Sequence, residues 1–348
     1  MSEVFMQVEI LETKYEVIDA LNNITLADSF LKNKTGKGNG EAKLYVGNES
    51  KELSEFFGDF SDLSAFFQKK DLIKVLQDLK EEYYLPQQHY YKKMTKNSVK
   101  MDVDITEEMP SRWEELFSKV SKCPKFLNFK FSRSNVKPPR VYINSDAKGY
   151  YTLLREIAIP NISYLSILKL KEVGNGKKII YYFKPFIDYS NTIQGYQITT
   201  FEEEKVLKKI AETTLSTKKK ETLKTARIGQ GKYRELLLED MPYCPFTKVS
   251  DERLLIASHM KPWVKSDEHE KIDPKNGLIL TPTYDALFDK GFISFHDNGK
   301  LIVSPFLSPL NQKRLNINDG KQIDIQRFLD SKRLVYLSYH RDNIFKGI

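Results

Sequence analysis

Cysteine is scarce in this chain. Only Cys123 and Cys244 occur, far apart and without a CxxC partner. That argues against a disulfide framework and against a cysteine-based zinc site, and it fits a reducing, cytoplasmic setting. Long apolar runs are missing too. No window approaches the ~20 apolar residues that span a bilayer, so a membrane is not expected as a partner. The opening stretch, "MSEVFMQVEILETKYEV", carries acids within its first dozen residues and does not read as a signal peptide. The glycine-rich segment "KNKTGKGNGE" (Lys32–Glu41) lacks the GK[ST] ending of a phosphate-binding loop and reads as a surface turn. No internal repeat is visible.

What is present describes an ordinary globular chain. With 348 residues, 40% of them hydrophobic, two or three domains are expected. The net charge of +8 is unevenly spread. Residues 1–120 hold 16 Lys/Arg against 22 Asp/Glu, whereas residues 121–190 hold 13 against 4 and residues 205–234 hold 10 against 2. A basic middle block is a common footprint of polyanion binding through phosphate contacts, although a solvated surface would carry the same charge.

Periodicity divides the chain further. Residues 1–120 read as a mixed, largely helical N-terminal region. Within Ser50–Tyr84, Leu53, Phe56, Phe57 and Phe60, then Leu72, Val75, Leu76 and Leu79, recur at helical spacing, divided near Gly58 and Asp71. "EEMPSRWEELFSKV" predicts a short helix. From Cys123 the pattern shifts to short alternating runs between turn signals: "KFLNFKFSRS", "PRVYIN", "YYTLLREIAI", "SILKLKEV" and "KKIIYYFKPFI". Residues 121–200 are therefore expected to form a β-rich basic module. Arg133, Lys137, Arg140, Lys177 and Lys178, near its turns, are candidates for DNA contact, with Tyr150, Tyr151, Tyr181 and Tyr182 nearby. Those tyrosines are equally well explained as strand residues with one wet end. Residues 201–226 read as a charged helical linker, and residues 227–348 as the last domain.

The chemistry concentrates between Ile256 and Phe295. "LLIASHMKPW" predicts a short strand ending at His259 and broken by Pro262. "NGLILTP" predicts a second strand, "TYDALFDKG" a helix closed by Gly291, and "FISFHDNGKLIVS" a hairpin. A helix precedes them from about Gly231 to Met241. Asp285 and Asp289, four residues apart, fall on one helical face. Two like charges at that spacing are unfavourable unless a cation lies between them, and hard cations take carboxylate oxygens. A histidine at the end of the first strand faces that helix. One base and one metal suffice for phosphodiester hydrolysis. Each residue also has an ordinary reading: a core histidine, an Asn-Gly turn, an acid favoured by the helix dipole and a solvated carboxylate.

The ordered set, "GQGKYRELL", "YCPFT", "LLIASHMKPW", "NGLILTP" and "YDALFDKGFISF", resembles the HNH nuclease module of many restriction-type endonucleases over Ile228–Pro305. The resemblance implies a ββα-metal fold and DNA hydrolysis. It assigns His259 as general base and Asn276 as the residue that pins the loop and orients the histidine. Asp285 takes a metal position, and Asp289 matches the acid that follows. Asp replaces the common His at 285, which hardens the site toward Mg²⁺ or Mn²⁺. Ser258 precedes the base as a weak ligand at best. Gln230, Arg234 and Lys261 are candidate DNA contacts of the module. Taken together, an α+β protein is expected, with a metal-dependent DNA endonuclease of restriction type at its C-terminal end. Double-stranded DNA is the expected partner and a homodimer the expected assembly. A DNA-binding protein with a decayed nuclease, and a less specific defence nuclease acting on RNA or DNA, are the alternatives.

Overall fold

The computed structural model describes residues 6–25, 44–48, 50–58, 63–84, 90–94, 100–104, 106–134, 137, 139–144, 153, 157, 163–174, 178–187 and 231–348. The protein is α+β and divides into two compact units, essentially Met1–Asp188 and Tyr189–Gly347. Among the described residues no helix is long and apolar enough to cross a membrane.

The first unit is built on an eight-stranded sheet of order β1-β2-β9-β10-β4-β7-β8-β3. Its strands are β1 (Gln7–Ile10), β2 (Thr13–Thr25), β3 (Leu44–Asn48), β4 (Ser64–Gln68), β7 (Phe126–Ser134), β8 (Arg140–Asn144), β9 (Ser163–Glu172) and β10 (Ile179–Ile187). β5 (Tyr90–Met94) and β6 (Lys100–Asp104) form a separate hairpin. Neighbours in the large sheet are antiparallel except β10 and β4, which run parallel. Ala65, Phe67, Leu127, Phe129, Ile167, Tyr181 and Phe183 share one core with helices α1 (Lys51–Phe57), α2 (Lys69–Asp78) and α4 (Met109–Ser121). α3 (Lys80–Tyr84) follows α2 and packs against α4. The helices present Leu53, Phe56 and Phe57, then Leu72, Val75 and Leu76, then Trp113, Leu116 and Val120. The Trp113 indole donates to the Leu76 carbonyl at 2.6 Å, so a polar edge is satisfied inside that core.

This sheet draws strands from both sides of residue 120, so the two N-terminal segments separated by periodicity share one core. β7, β8, β9 and β10 lie where alternation predicts them. β1, β2, β3 and β4 are strands within a stretch expected to be largely helical. The expected linker helix 201–226, the glycine-rich loop, Tyr150, Tyr151 and most of "YYTLLREIAI" lie outside the described residues.

The second unit follows the predicted order. Helix α5 (231–240) comes first. Strands β11 (Ile256–His259) and β12 (Gly277–Leu280) then pair antiparallel, with His259 opposite Gly277 and Ser258 opposite Leu278. Thr281 stands at the N-cap position of α6 (Pro282–Asp289) without a side-chain capping bond, and the helix starts two residues earlier than the sequence signal at Thr283 because Pro282 suits the first helical turn. Gly291 closes that helix at φ +69°, and an added Cβ there would meet the Ile344 carbonyl oxygen at 2.1 Å. The hairpin of β13 (Ile293–Phe295) and β14 (Leu301–Val303), α7 (Pro309–Arg314) and α8 (Ser331–Asn343) complete the unit. β12 is buried at every position, and Phe288, Phe295, Leu301 and Phe306 are buried in the same unit.

Candidate active site

His259 ends β11, where the chain leaves the hairpin for the loop 260–276. Asn276, fully buried at the far end of that loop, ties it shut. Its side-chain oxygen accepts from the Lys261 amide at 2.9 Å. Its amide nitrogen donates to the carbonyls of Glu270 (3.0 Å) and Lys261 (3.2 Å) and to the Ser266 hydroxyl (3.3 Å). Asp267 adds a turn inside the loop by accepting from the amides of His269 and Glu270. Lys261 pairs with Glu270 at 2.6 Å across it. A single buried carboxamide thus holds a loop that water would otherwise loosen, because a buried amide is stable only when its bonds are made.

That loop presents the Lys271 carbonyl to His259 Nε2 at 3.2 Å. A carbonyl only accepts, so Nε2 carries the hydrogen and Nδ1 keeps its lone pair in the neutral ring. The imidazole is stacked on Tyr233 (ring centres 3.9 Å apart, 18° between planes) and meets the edge of Trp263 at 5.7 Å. Burial lowers its pKa to about 4, against a smaller upward pull from the Lys271 bond. The ring is therefore neutral at pH 7, as a proton acceptor must be.

Asp285 and Asp289 lie one turn apart on α6. Asp285 is buried, and its pKa is raised to about 6, first by desolvation and then by Asp289. The Ser258 hydroxyl, itself buried on β11, bonds this carboxylate and opposes the rise. Ser258 thus orients Asp285 in this arrangement. Among the described residues no group of three or more His, Cys, Asp and Glu side chains gathers as a metal cage. The donor set fits a hard cation that takes one or two carboxylates and completes its shell with water and phosphate. A raised carboxylate beside a second acid is also the state a divalent cation would relieve.

The candidate DNA contacts fall into three groups. Arg133 and Arg140 lie at facing ends of β7 and β8, Lys137 is exposed between them, and Lys178 is exposed just before β10. Lys177 and Gln230 lie outside the described residues. Arg234 and Lys261 have internal partners. Arg234 donates to the carbonyls of Leu255 (2.9 Å) and Glu252 (2.6 Å), tying α5 to the segment before β11, while Lys261 serves the loop.

Sequence reasoning assigned no role to Tyr233, Arg333 or His340. Tyr233 lies within "GQGKYRELL". Arg333 and His340, on α8, carried no local signal because their partners are distant in sequence. The fully buried Arg333 donates to the carbonyls of Gly277 (3.1 Å), Pro274 (3.0 Å) and Phe328 (2.6 Å) and to Asp240 (2.7 Å). His340 lies flat on Phe288 (3.8 Å, 4°) and bonds the Phe288 carbonyl and the Ser294 hydroxyl, each at 3.0 Å.

Residues 244–296 match the family model of an HNH endonuclease. The sequence matches no curated protein. The C-terminal part therefore carries an HNH module, and the match supports a nuclease, a hydrolase of phosphodiester bonds. The matched span takes in β11, the loop, β12 and α6, hence His259, Asn276, Asp285 and Asp289. α5 and α8 lie outside it.

Proposed function

We propose that this protein is a metal-dependent DNA endonuclease of restriction type. His259 Nδ1 takes the proton from the attacking water, while the Nε2 bond to Lys271 fixes the ring's tautomer and orientation. Asn276 preserves that bond by holding the loop closed around it. Asp285, steadied by Ser258, and Asp289 hold the cation, with Mg²⁺ or Mn²⁺ preferred by their hard oxygens. Bound there, the cation supplies positive charge for the phosphorane-like transition state and the leaving oxygen.

The observation that carries this reading is the neutral, carbonyl-anchored His259 within the HNH-matched segment. The complete set of bonds around Asn276 favours a working site over a decayed one. Double-stranded DNA as substrate is supported by the basic block of residues 121–190. The test is cleavage of plasmid and genomic DNA of differing methylation by the purified full chain, with Mg²⁺, Mn²⁺ or EDTA. Metal-dependent cutting that EDTA stops is expected. Unchanged cutting in EDTA would remove the metal from the reading, and cutting of RNA alone would replace the substrate.

A further inference from the structure

Tyr233 lies outside the HNH-matched segment, yet among the described residues no other ring is packed so closely on His259. We propose that Tyr233 is a positioning residue for His259, its ring serving as the plate that fixes the imidazole plane. The inference rests on the nuclease reading of His259.

Three observations converge. First, the two rings are close to parallel, 18° apart, with centres at 3.9 Å. Second, the Tyr233 hydroxyl lies 3.2 Å from the Asn276 carbonyl and 3.4 Å from the Ser258 carbonyl. Those residues immediately precede Gly277 and His259, which face one another across the hairpin. One hydroxyl therefore gauges the separation of the two strands where the histidine leaves them. Third, Gly277 is extended, at φ −155°, so its backbone makes no demand for glycine. An added Cβ there would stand 1.8 Å from the Tyr233 hydroxyl oxygen and 2.7 Å from Leu237 Cδ2. The missing side chain at 277 is the room that Tyr233 occupies.

The imidazole is then held from three directions: Tyr233 on its face, Trp263 at an edge and the Lys271 carbonyl at Nε2. The carbonyl decides which nitrogen points inward, but a single bond leaves the ring free to tilt about it. Torsions of this sp³–sp² kind are broad, so a flat neighbour is what narrows them. Proton abstraction is sensitive to such tilt, since misplacement by about 1 Å can cost on the order of 10²-fold in rate.

The test compares the full native chain with Tyr233→Phe, which keeps the plate, and Tyr233→Met, which fills the space without one. Cleavage of supercoiled plasmid DNA with Mg²⁺ is read as kcat and KM. Proton NMR reads the ring-current displacement of the His259 C–H signals, identified by their loss in His259→Ala. We expect Tyr233→Phe to keep kcat within about threefold and Tyr233→Met to lose about 10- to 100-fold, both with KM within about threefold. The upfield displacement should persist in Tyr233→Phe and vanish in Tyr233→Met. A folded Tyr233→Met variant with native kcat would overturn the proposal. So would undisplaced His259 signals in the native protein, a result that requires no variant to fold. A native protein with displaced signals but no nuclease activity would overturn the functional reading on which the proposal rests, while leaving the stack itself observed.

Discussion

At the scale of single residues, two groups with opposite shifts set the site's response to pH. His259 titrates at about 4 because burial disfavours its charged form, so it remains a competent base well below neutrality. Asp285 titrates at about 6 because burial and Asp289 both disfavour its anion. Cation binding requires that anion, so apparent Mg²⁺ affinity should weaken as pH falls below about 6, by up to about tenfold for each further pH unit. Calorimetric titration with Mg²⁺ at pH 7.5 and 5.5 reads this directly, and Asp285→Asn should abolish the cation response. Equal affinity at both pH values would show that Asp285 is not a ligand. His259→Ala should lose about 10²–10⁴ in cleavage rate while DNA binding stays near native, measured by gel shift beside the cleavage assay. Full activity in that variant would end its assignment as base. These residues could be placed from the sequence because their spacings are local: the aspartates stand four positions apart, and a single loop separates His259 from Asn276. Tyr233 carries no such local signal, since its hydroxyl meets backbone carbonyls from two other parts of the chain.

At the scale of elements, α8 makes the HNH-matched segment dependent on a helix outside it. Arg333 binds the carbonyls at the start of β12, and His340 binds the end of α6 at Phe288. One helix therefore braces the chain on either side of Asn276 and the end of α6, which carries Asp285 and Asp289. Removing a buried, bonded cation leaves its partners unpaired, so Arg333→Ala should cost about 3–5 kcal/mol of stability. Denaturant unfolding checks this, and a loss below about 1 kcal/mol would show that α8 only covers the unit. His340 adds pH dependence. Its folded pKa, lowered to about 4 by burial, lies below the unfolded value of ~6.5. The contribution is present above about pH 6.5 and is lost as pH falls toward 4, because the unfolded chain then binds the proton more readily. His259 acts in the same direction and Asp285 in the opposite one. Melting temperatures between pH 7 and 4.5 should fall, and His340→Phe should flatten part of that fall while keeping the stack on Phe288. An unchanged slope would exclude His340 as a source. The elements missed in the sequence have physical reasons. β2 pairs with β9 through register shifts between Val17 and Asp19 and between Leu21 and Ile24, which break the alternation that marks a strand. β4 has five residues and passes directly into α2, so Phe66 and Phe67 blend into the helical spacing around them.

At the scale of the whole molecule, we expect the two units to divide the labour. In the sheet order, β9 and β7 run the same way, with β10 and β4 between them running the other way. The ends of β7 and β9, and the starts of β8 and β10, therefore lie at the same end of the sheet. Arg133, Lys137 and Arg140 belong to the first pair, and Lys178 stands just before β10 in the second. Strand spacing places the β7–β8 and β9–β10 pairs roughly 14 Å apart, comparable with the ~12 Å width of the DNA major groove. In the second unit several bases are paired internally: Lys248 with Asp324, Lys261 with Glu270, Lys271 with Glu268 and Lys275 with Asp240. Site recognition should accordingly reside in the first unit and cutting in the second. A fragment from about Thr222 to the C-terminus is expected to bind metal and cut DNA weakly without sequence preference. Residues 1–200 should bind the cognate duplex with affinity that falls steeply with salt. Lys137→Ala and Lys178→Ala should each lower the salt slope by about one if they contact phosphate. Gel-shift and cleavage assays of the two fragments on specific and scrambled duplexes decide the matter. A C-terminal fragment that discriminates the cognate site as sharply as the full chain would place recognition in the HNH unit, and the shared end of the two strand pairs would then need another partner.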